Sequence, residues 1–281
     1  MCPCPTVRAV AFGDFGYSGT DSGQHKVFEA VRKEHEKEPF QLGLTLGDNF
    51  YPSGVSSVSD PVWKSIWEPD YGTLGIRFFA TLGNHDYRGN VQAAIDYTKA
   101  SKSWMMPNRY YTFGAGPVRF FALDTDEGTA GNWLFKKEWS EEQANWLRDQ
   151  LRRHSTVPWK IVYGHHPIYS YGHHGDDKRL QRKLLPILRE HKAIYLAGHE
   201  HDLQVIENDG MRFFVVGGGG KDTRSVSKGP NTRFAASQHG FLDLTATPDA
   251  LTLRIIGMLK PDPEYSVTVK REPTAKVALS Q

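Results

Sequence analysis

Residues 7–16 read Val-Arg-Ala-Val-Ala-Phe-Gly-Asp-Phe-Gly. A short, mostly apolar run that stops at Gly-Asp reads as a strand buried on both faces and ending in a sharp turn. The pattern recurs downstream, in apolar runs at Phe40–Leu46, Ile76–Leu82, Val118–Leu123, Lys160–Tyr163 and Ala193–Leu196. Amphipathic stretches at Ser22–Lys37, Asn90–Lys102, Ser140–Arg153 and Asp177–His191 separate them and predict helices. In the third, Ser140 and Gln143 have the spacing of a capping box. After Gly198 the texture changes. Leu203–Glu207 and Met211–Val216 flank Asn208-Asp209-Gly210, a hairpin signal. Phe241–Thr245, Leu251–Ile256 and Tyr265–Lys270 follow as further strands. Strand–helix alternation running into hairpins predicts an α/β fold, with two packed sheets and helices outside. A ligand site is expected at the C-terminal ends of the parallel strands.

Five of these strand ends carry Gly followed closely by a metal-capable side chain. They are Gly13-Asp14-Phe15-Gly16, Gly47-Asp48-Asn49-Phe50-Tyr51, Gly83-Asn84-His85-Asp86, Gly164-His165-His166-Pro167 and Gly198-His199-Glu200-His201. Asp, Asn, Tyr and His offer hard oxygen and borderline nitrogen donors and no thiolate. Two cations held close together need a shared carboxylate and several such donors. His199 and His201 would point to opposite sides of an extended strand, but past a strand end they can reach two neighbouring ions.

The composition excludes other classes. With 39% hydrophobic and 23% charged residues in a 281-residue chain, the protein reads as an ordinary globular one. A net charge of +2 gives no case for a nucleic-acid partner. No apolar run approaches the ~18 residues of a membrane span. Cys2 and Cys4 stand too close for a sound local disulfide. Residues 1–6 are expected to be a disordered segment before one domain over 7–281, and no basic, apolar leader precedes Val7.

The five blocks, in this order, resemble those of the calcineurin-like metallophosphoesterases. The Tyr of the second block makes the chain most similar to the purple acid phosphatases, in their small, tartrate-resistant branch. The likeness covers about Val7 to Asp202. It implies a four-layer α/β/β/α sandwich with two mixed sheets. It also implies a dinuclear centre of Fe(III) and a second divalent metal, Fe, Zn or Mn. Asp14, Tyr51 and His201 would hold the first ion, Asn84, His165 and His199 the second, and Asp48 would bridge them. His85 and His174 would contact the phosphate and protonate the leaving group. His174 is chosen over His173 because it follows His165 by nine residues and precedes Gly175, as the branch's pattern requires. The activity implied is hydrolysis of small phosphate monoesters by a metal-bound hydroxide in a secreted or periplasmic monomer. A Mn- or Fe-dependent phosphodiesterase or nucleotidase is the alternative, and a scaffold that has lost catalysis is a third reading.

Other residues have plainer readings. His166 is expected to be a wall of the pocket, Gly217–Gly220 a turn passing close to the metals, and Asp124 and Asp126 structural. Asp86 either orients the His85 ring or caps a local turn. Trp133, Phe135, Tyr169 and Tyr171 are expected to line the mouth.

Overall fold

A computed structural model describes residues 6–17, 23–127, 138–260 and 262–271. Residues 1–5, with Cys2 and Cys4, lie outside the described residues, as do Trp133 and Phe135.

Two seven-stranded mixed sheets face each other. The first is built on β1 (Val7–Phe12), β2 (Leu42–Thr45), β3 (Arg77–Ala80) and β4 (Trp104–Met105), which run parallel. The second contains β5 (Tyr111–Ala115), β6 (Val118–Ala122), β7 (Trp159–Tyr163), β8 (Ile194–Ala197), β9 (Leu203–Asn208), β10 (Met211–Val216) and β11 (Thr232–Ala236). Of these, β6, β7, β8 and β10 run parallel. The chain then returns to the first sheet through β12 (Gly240–Ala246), β13 (Ala250–Gly257) and β14 (Tyr265–Lys270), with β12 antiparallel to β1. The β9–β10 hairpin closes on Asp209-Gly210, both at positive φ, as a tight two-residue turn requires.

The core follows from the alternation of side chains. In β6, Phe120 packs between the sheets and Phe121 packs under the helices, and Ile161 and Val162 of β7 divide in the same way. The outer helices α3 (Glu141–Arg153) and α4 (Lys178–His191) cover the second sheet with Leu147, Leu151, Leu180, Leu184 and Leu188. Helix α1 (Gly23–Lys37) covers the first with Val27, Phe28 and Val31. The expected four layers are present. Polar ties join the sheets near the site: Thr81 Oγ1 donates to Leu123 O at 2.6 Å and Tyr111 Oη to Ala80 O at 2.7 Å.

Three sequence expectations need correction. The helix expected over Asn90–Lys102 is α2 (Val91–Asp96) followed by a 3-10 turn over Tyr97–Lys99. The Tyr97 ring stacks on Trp63 at 3.6 Å and its hydroxyl donates to Glu68 at 2.7 Å, and that packing accompanies the tighter winding. The capping box is half formed. Ser140 Oγ accepts from the Gln143 N–H at 3.2 Å, but the Gln143 side chain goes to the Asp124 backbone instead of reaching back. The strands β4, β5 and β11, all at sheet edges, are absent from the sequence reading.

Candidate metal centre

The five Gly-containing turns converge between the sheets. Asp14 follows β1, Asp48 and Tyr51 follow β2, and Asn84 and His85 follow β3. His165 follows β7, and His199 and His201 follow β8. Asp14, Asp48 and His199 have φ of 59°, 49° and 70°. This left-handed backbone costs an L-residue roughly 1–2 kcal/mol, and such strain gathers at functional sites. The other two non-Gly residues described with positive φ are Lys192, which ends α4, and Asp209 of the hairpin. Close approach accounts for two of the glycines. A Cβ on Gly83 would stand 2.3 Å from Asp48 Oδ1, and one on Gly198 would stand 2.5 Å from Asp14 Oδ2.

The seven expected ligand side chains fall into two sets that share one residue. Tyr51 Oη lies 3.1 Å from Asp14 Oδ1, 3.1 Å from Asp48 Oδ2 and 3.2 Å from His201 Nε2. His165 Nε2 lies 3.2 Å from Asn84 Oδ1, 3.1 Å from His199 Nδ1 and 3.5 Å from Asp48 Oδ1. Asp48 thus turns one oxygen to each set. Carbonyls orient two of the rings: His165 Nδ1 donates to Leu46 O and His201 Nδ1 to Asp222 O, both at 2.9 Å. That leaves both Nε2 atoms aimed at the donor sets, the support expected around a metal-binding histidine.

Electrostatically the cluster calls for cations. Asp14 and Asp48 are buried. Burial pushes the Asp14 carboxyl well above the ordinary range, with His165 opposing it. Burial acts the same way on Asp48, but His165 and the His85 N–H outweigh it and hold that group low. Burial, then Asp14 and Asp48, raise the Tyr51 phenol far above its usual value. His201 is pushed down to about 4 by burial and then by Arg224, so its ring is neutral. Asp14, Asp48 and His165 alone bring three donor atoms within 4.8 Å of one another. Burial pushes the His165 imidazole down, but Asp48 and Asp14 outweigh it and raise the ring well above its usual range. Two buried carboxyl groups with these nitrogen and oxygen donors fit hard or borderline cations.

His85 and His174 stand at the rim. The His85 ring is 4.4 Å from the Tyr51 ring, its Nδ1 donates to Pro52 O at 2.6 Å, and its Nε2 is 3.9 Å from Asp48 Oδ2. The His174 ring lies 4.3 Å from that of His199. Glu200, a residue passed over in the sequence reading, holds His174 twice, through its backbone N–H at 2.6 Å and its Nδ1 at 3.3 Å. Its signal was in the quoted Gly-His-Glu-His block. His173 packs its ring on His174, outside this contact.

Of the plainer readings, His166 is a buried wall with its ring 4.4 Å from His199. Asp86 is the turn cap, accepting from Gly83 N and Asn49 Nδ2 at 2.8 Å, while the His85 ring is held by Pro52. Asp124 ties Arg109 and Tyr87 to the second sheet. Gly219 N donates to Gly13 O at 3.0 Å, so the glycine run does pass beside Asp14. Tyr169 and Tyr171 pack instead on the core of the second sheet, Tyr169 edge-on to Phe213 at 5.0 Å.

The calcineurin-like phosphoesterase family matches residues 7–203. Tartrate-resistant acid phosphatase type 5 of Oryctolagus cuniculus is 33% identical over 284 residues, covering 89% of this chain and 86% of the relative. Purple acid phosphatase 7 of Arabidopsis thaliana is 33% identical over 228 residues, covering 75% and 69%. Among solved structures, GAP50, described as the anchor in the inner membrane complex of Plasmodium, superposes with a TM-score of 0.83 at 25% identity, covering 96% of this chain and 90% of that one. The purple acid phosphatase PPD1 of yellow lupin shares the fold, with a TM-score of 0.73 at 18% identity over 95% of this chain and 54% of that one. By motif order, sequence identity and fold, the chain belongs to the calcineurin-like phosphoesterases and, within them, to the purple acid phosphatase family.

Proposed function

We propose that the protein is an acid phosphatase hydrolysing phosphate monoesters at a dinuclear centre. Asp14, Tyr51 and His201 would hold Fe(III), Asn84, His165 and His199 would hold a divalent Fe, Zn or Mn ion, and Asp48 would be shared. The observation that carries this reading is the division of Asp48, with one oxygen facing each donor set. Charge supports the assignment. The set around Tyr51 contains three groups that become anionic, matching a trivalent ion, whereas the set around His165 adds only neutral donors to Asp48 and suits a divalent one.

When bound, such a pair activates water and neutralises phosphate charge. The chain's own groups do the rest. His85 and His174 have Nδ1 engaged by Pro52 O and Glu200, so Nε2 of each is the atom left to carry a proton to the departing oxygen. Glu200 holds His174 in place, and the Pro52 carbonyl does the same for His85. The acid phosphatase names of the relatives support the same activity.

A second reading, a scaffold without catalysis, is favoured by the likeness to the Plasmodium anchor. The complete donor set weighs against it. The deciding experiment combines a visible spectrum, metal analysis and acid-pH rates on an aryl phosphate monoester and the matching diester. Iron-dependent colour with monoester preference is expected. A colourless Mn or Zn protein preferring the diester would move the assignment to a phosphodiesterase, and a metal-free, inactive protein would leave the scaffold reading.

A further inference from the structure

Each rim histidine has an arginine beside it. Arg88 Nη1 lies 3.3 Å from His85 Nδ1, and Arg224 Nη1 lies 3.4 Å from His174 Nδ1. Neither contact is a hydrogen bond in which the arginine donates. The Pro52 carbonyl and the Glu200 carboxylate can only accept, so both Nδ1 atoms carry hydrogen and have nothing left to take from a guanidinium. Among the described residues no carboxylate oxygen lies within 4.0 Å of either guanidinium, although the Arg224 charge acts on Glu200 and Asp202. Arg224 is further tied to the site through its backbone N–H, which donates to His201 O at 2.9 Å. The third nearby cation, Lys221, is already engaged, with Nζ 3.4 Å from Asp222 Oδ2 and 4.2 Å from the centre of the Tyr17 ring. Two guanidinium groups with donors to spare therefore flank the histidines that face the leaving group in the mechanism above.

Building on the phosphatase reading, we propose that Arg88 and Arg224 form a recognition site for an anionic group on the leaving alcohol. The preferred substrates are then phosphate monoesters whose alcohol portion carries a carboxylate or a second phosphate. A guanidinium binds such groups through charge-assisted, often bidentate hydrogen bonds, whereas a neutral hydroxyl offers it only a single, weaker acceptor.

The test compares 3-phosphoglycerate with glycerol 3-phosphate, two primary alkyl esters whose leaving groups differ by a carboxylate. Metal-loaded wild type, Arg88→Gln, Arg224→Gln and the double variant are assayed on both, with metal content and melting temperature as controls. The wild type should prefer 3-phosphoglycerate. Each single variant should lose about 10-fold in kcat/KM on that ester and less than about 2-fold on glycerol 3-phosphate, with losses near 100-fold in the double variant. Arg88→Lys, which keeps the charge and loses the fork, should fall between. Equal losses on the two esters would overturn the proposal, because the arginines would then act on the transferred phosphate or the histidines. Should the wild type hydrolyse neither ester, the phosphatase reading fails separately, and calorimetric binding of the two esters still decides. A preference for 3-phosphoglycerate that the variants abolish upholds the arginine site, and its absence refutes it.

Discussion

Tyr51→Phe probes the centre most directly. Tyr51 Oη faces Asp14 Oδ1 and Asp48 Oδ2 at 3.1 Å each. At an effective dielectric near 20, a phenolate there would be repelled by about 5 kcal/mol by Asp48 alone and by as much again by an ionised Asp14. Without metal, Tyr51 therefore stays a phenol throughout the pH range in which the fold survives. Only a cation between these groups can ionise it, so any phenolate signal must arrive with the metal. Iron loading of metal-free wild type at acidic pH should produce a visible charge-transfer band, and the same loading of Tyr51→Phe should give none. The variant should still fold. It leaves the two carboxylates short of one donor, a loss of about 1.5–3 kcal/mol against a usual total of roughly 5–15 kcal/mol. Iron should still bind, more weakly, through Asp14, Asp48 and His201. A band of equal strength in Tyr51→Phe, or tyrosinate absorption in metal-free wild type at neutral pH, would refute the reasoning.

Other variants separate chemistry from support. His85→Ala should lower kcat by about 100-fold or more with both metals retained. Elemental analysis showing parallel metal loss would make His85 a ligand instead. Glu200→Gln keeps an acceptor for the His174 N–H but weakens its grip on the ring, so kcat should fall by about 10-fold with metal content unchanged. Rates equal to wild type would show that His174 needs no such anchor. Asp243→Ala tests the fold away from the site. Asp243 is buried and pairs with the buried Arg8 at 2.6 Å across β1 and β12. Leaving the Arg8 guanidinium with only Glu34 and Glu38, and removing the Asp243 partner of Arg254 as well, should destabilise the protein by about 3–5 kcal/mol and lower the melting temperature by roughly 10 °C. A melt within a degree or two of wild type would mean that Arg8 is satisfied by Glu34 and the Glu38 carbonyl alone.

Much of this architecture was legible in the chain, for physical reasons. Central strands such as Val7–Phe12 and Met211–Val216 are buried over most of their length, so their apolar runs mark them almost to the residue. The missed strands lie at sheet edges. Tyr111–Ala115 includes a glycine and is mostly half-buried, and Thr232–Ala236 shifts register between Thr232 and Phe234, so neither presents a continuous apolar run. The helical periodicity of Asn90–Lys102 outruns the helix itself because it says nothing about Trp63, the ring that Tyr97 stacks on. The packing of Tyr169 and Tyr171 on the core of the second sheet depends on partners such as Phe213 that aromatic composition does not reveal.

What the sequence by itself determined was the set of chemical groups and the turns that carry them. Gly-Asp and Gly-His pairs at the ends of buried strands are local features, set by backbone sterics and by hydrophobic runs that need no distant partner to be recognised. Only the tertiary structure decided how those groups are shared. The hairpin of β9 and β10 joins the second sheet while β12 pairs with β1 in the first, a choice between partners that alternation along a strand does not encode. That closure, with the Thr81 and Tyr111 ties, brings the strand ends of the two sheets together. It puts Asp48 between Tyr51 and His165, Glu200 under His174, and Arg88 and Arg224 beside the two rim histidines. The Asp48–Tyr51 and His85–Arg88 contacts are local, but those of Asp48 with His165, Glu200 with His174 and Arg224 with His174 join residues far apart along the chain, and their geometry exists only once the chain has packed.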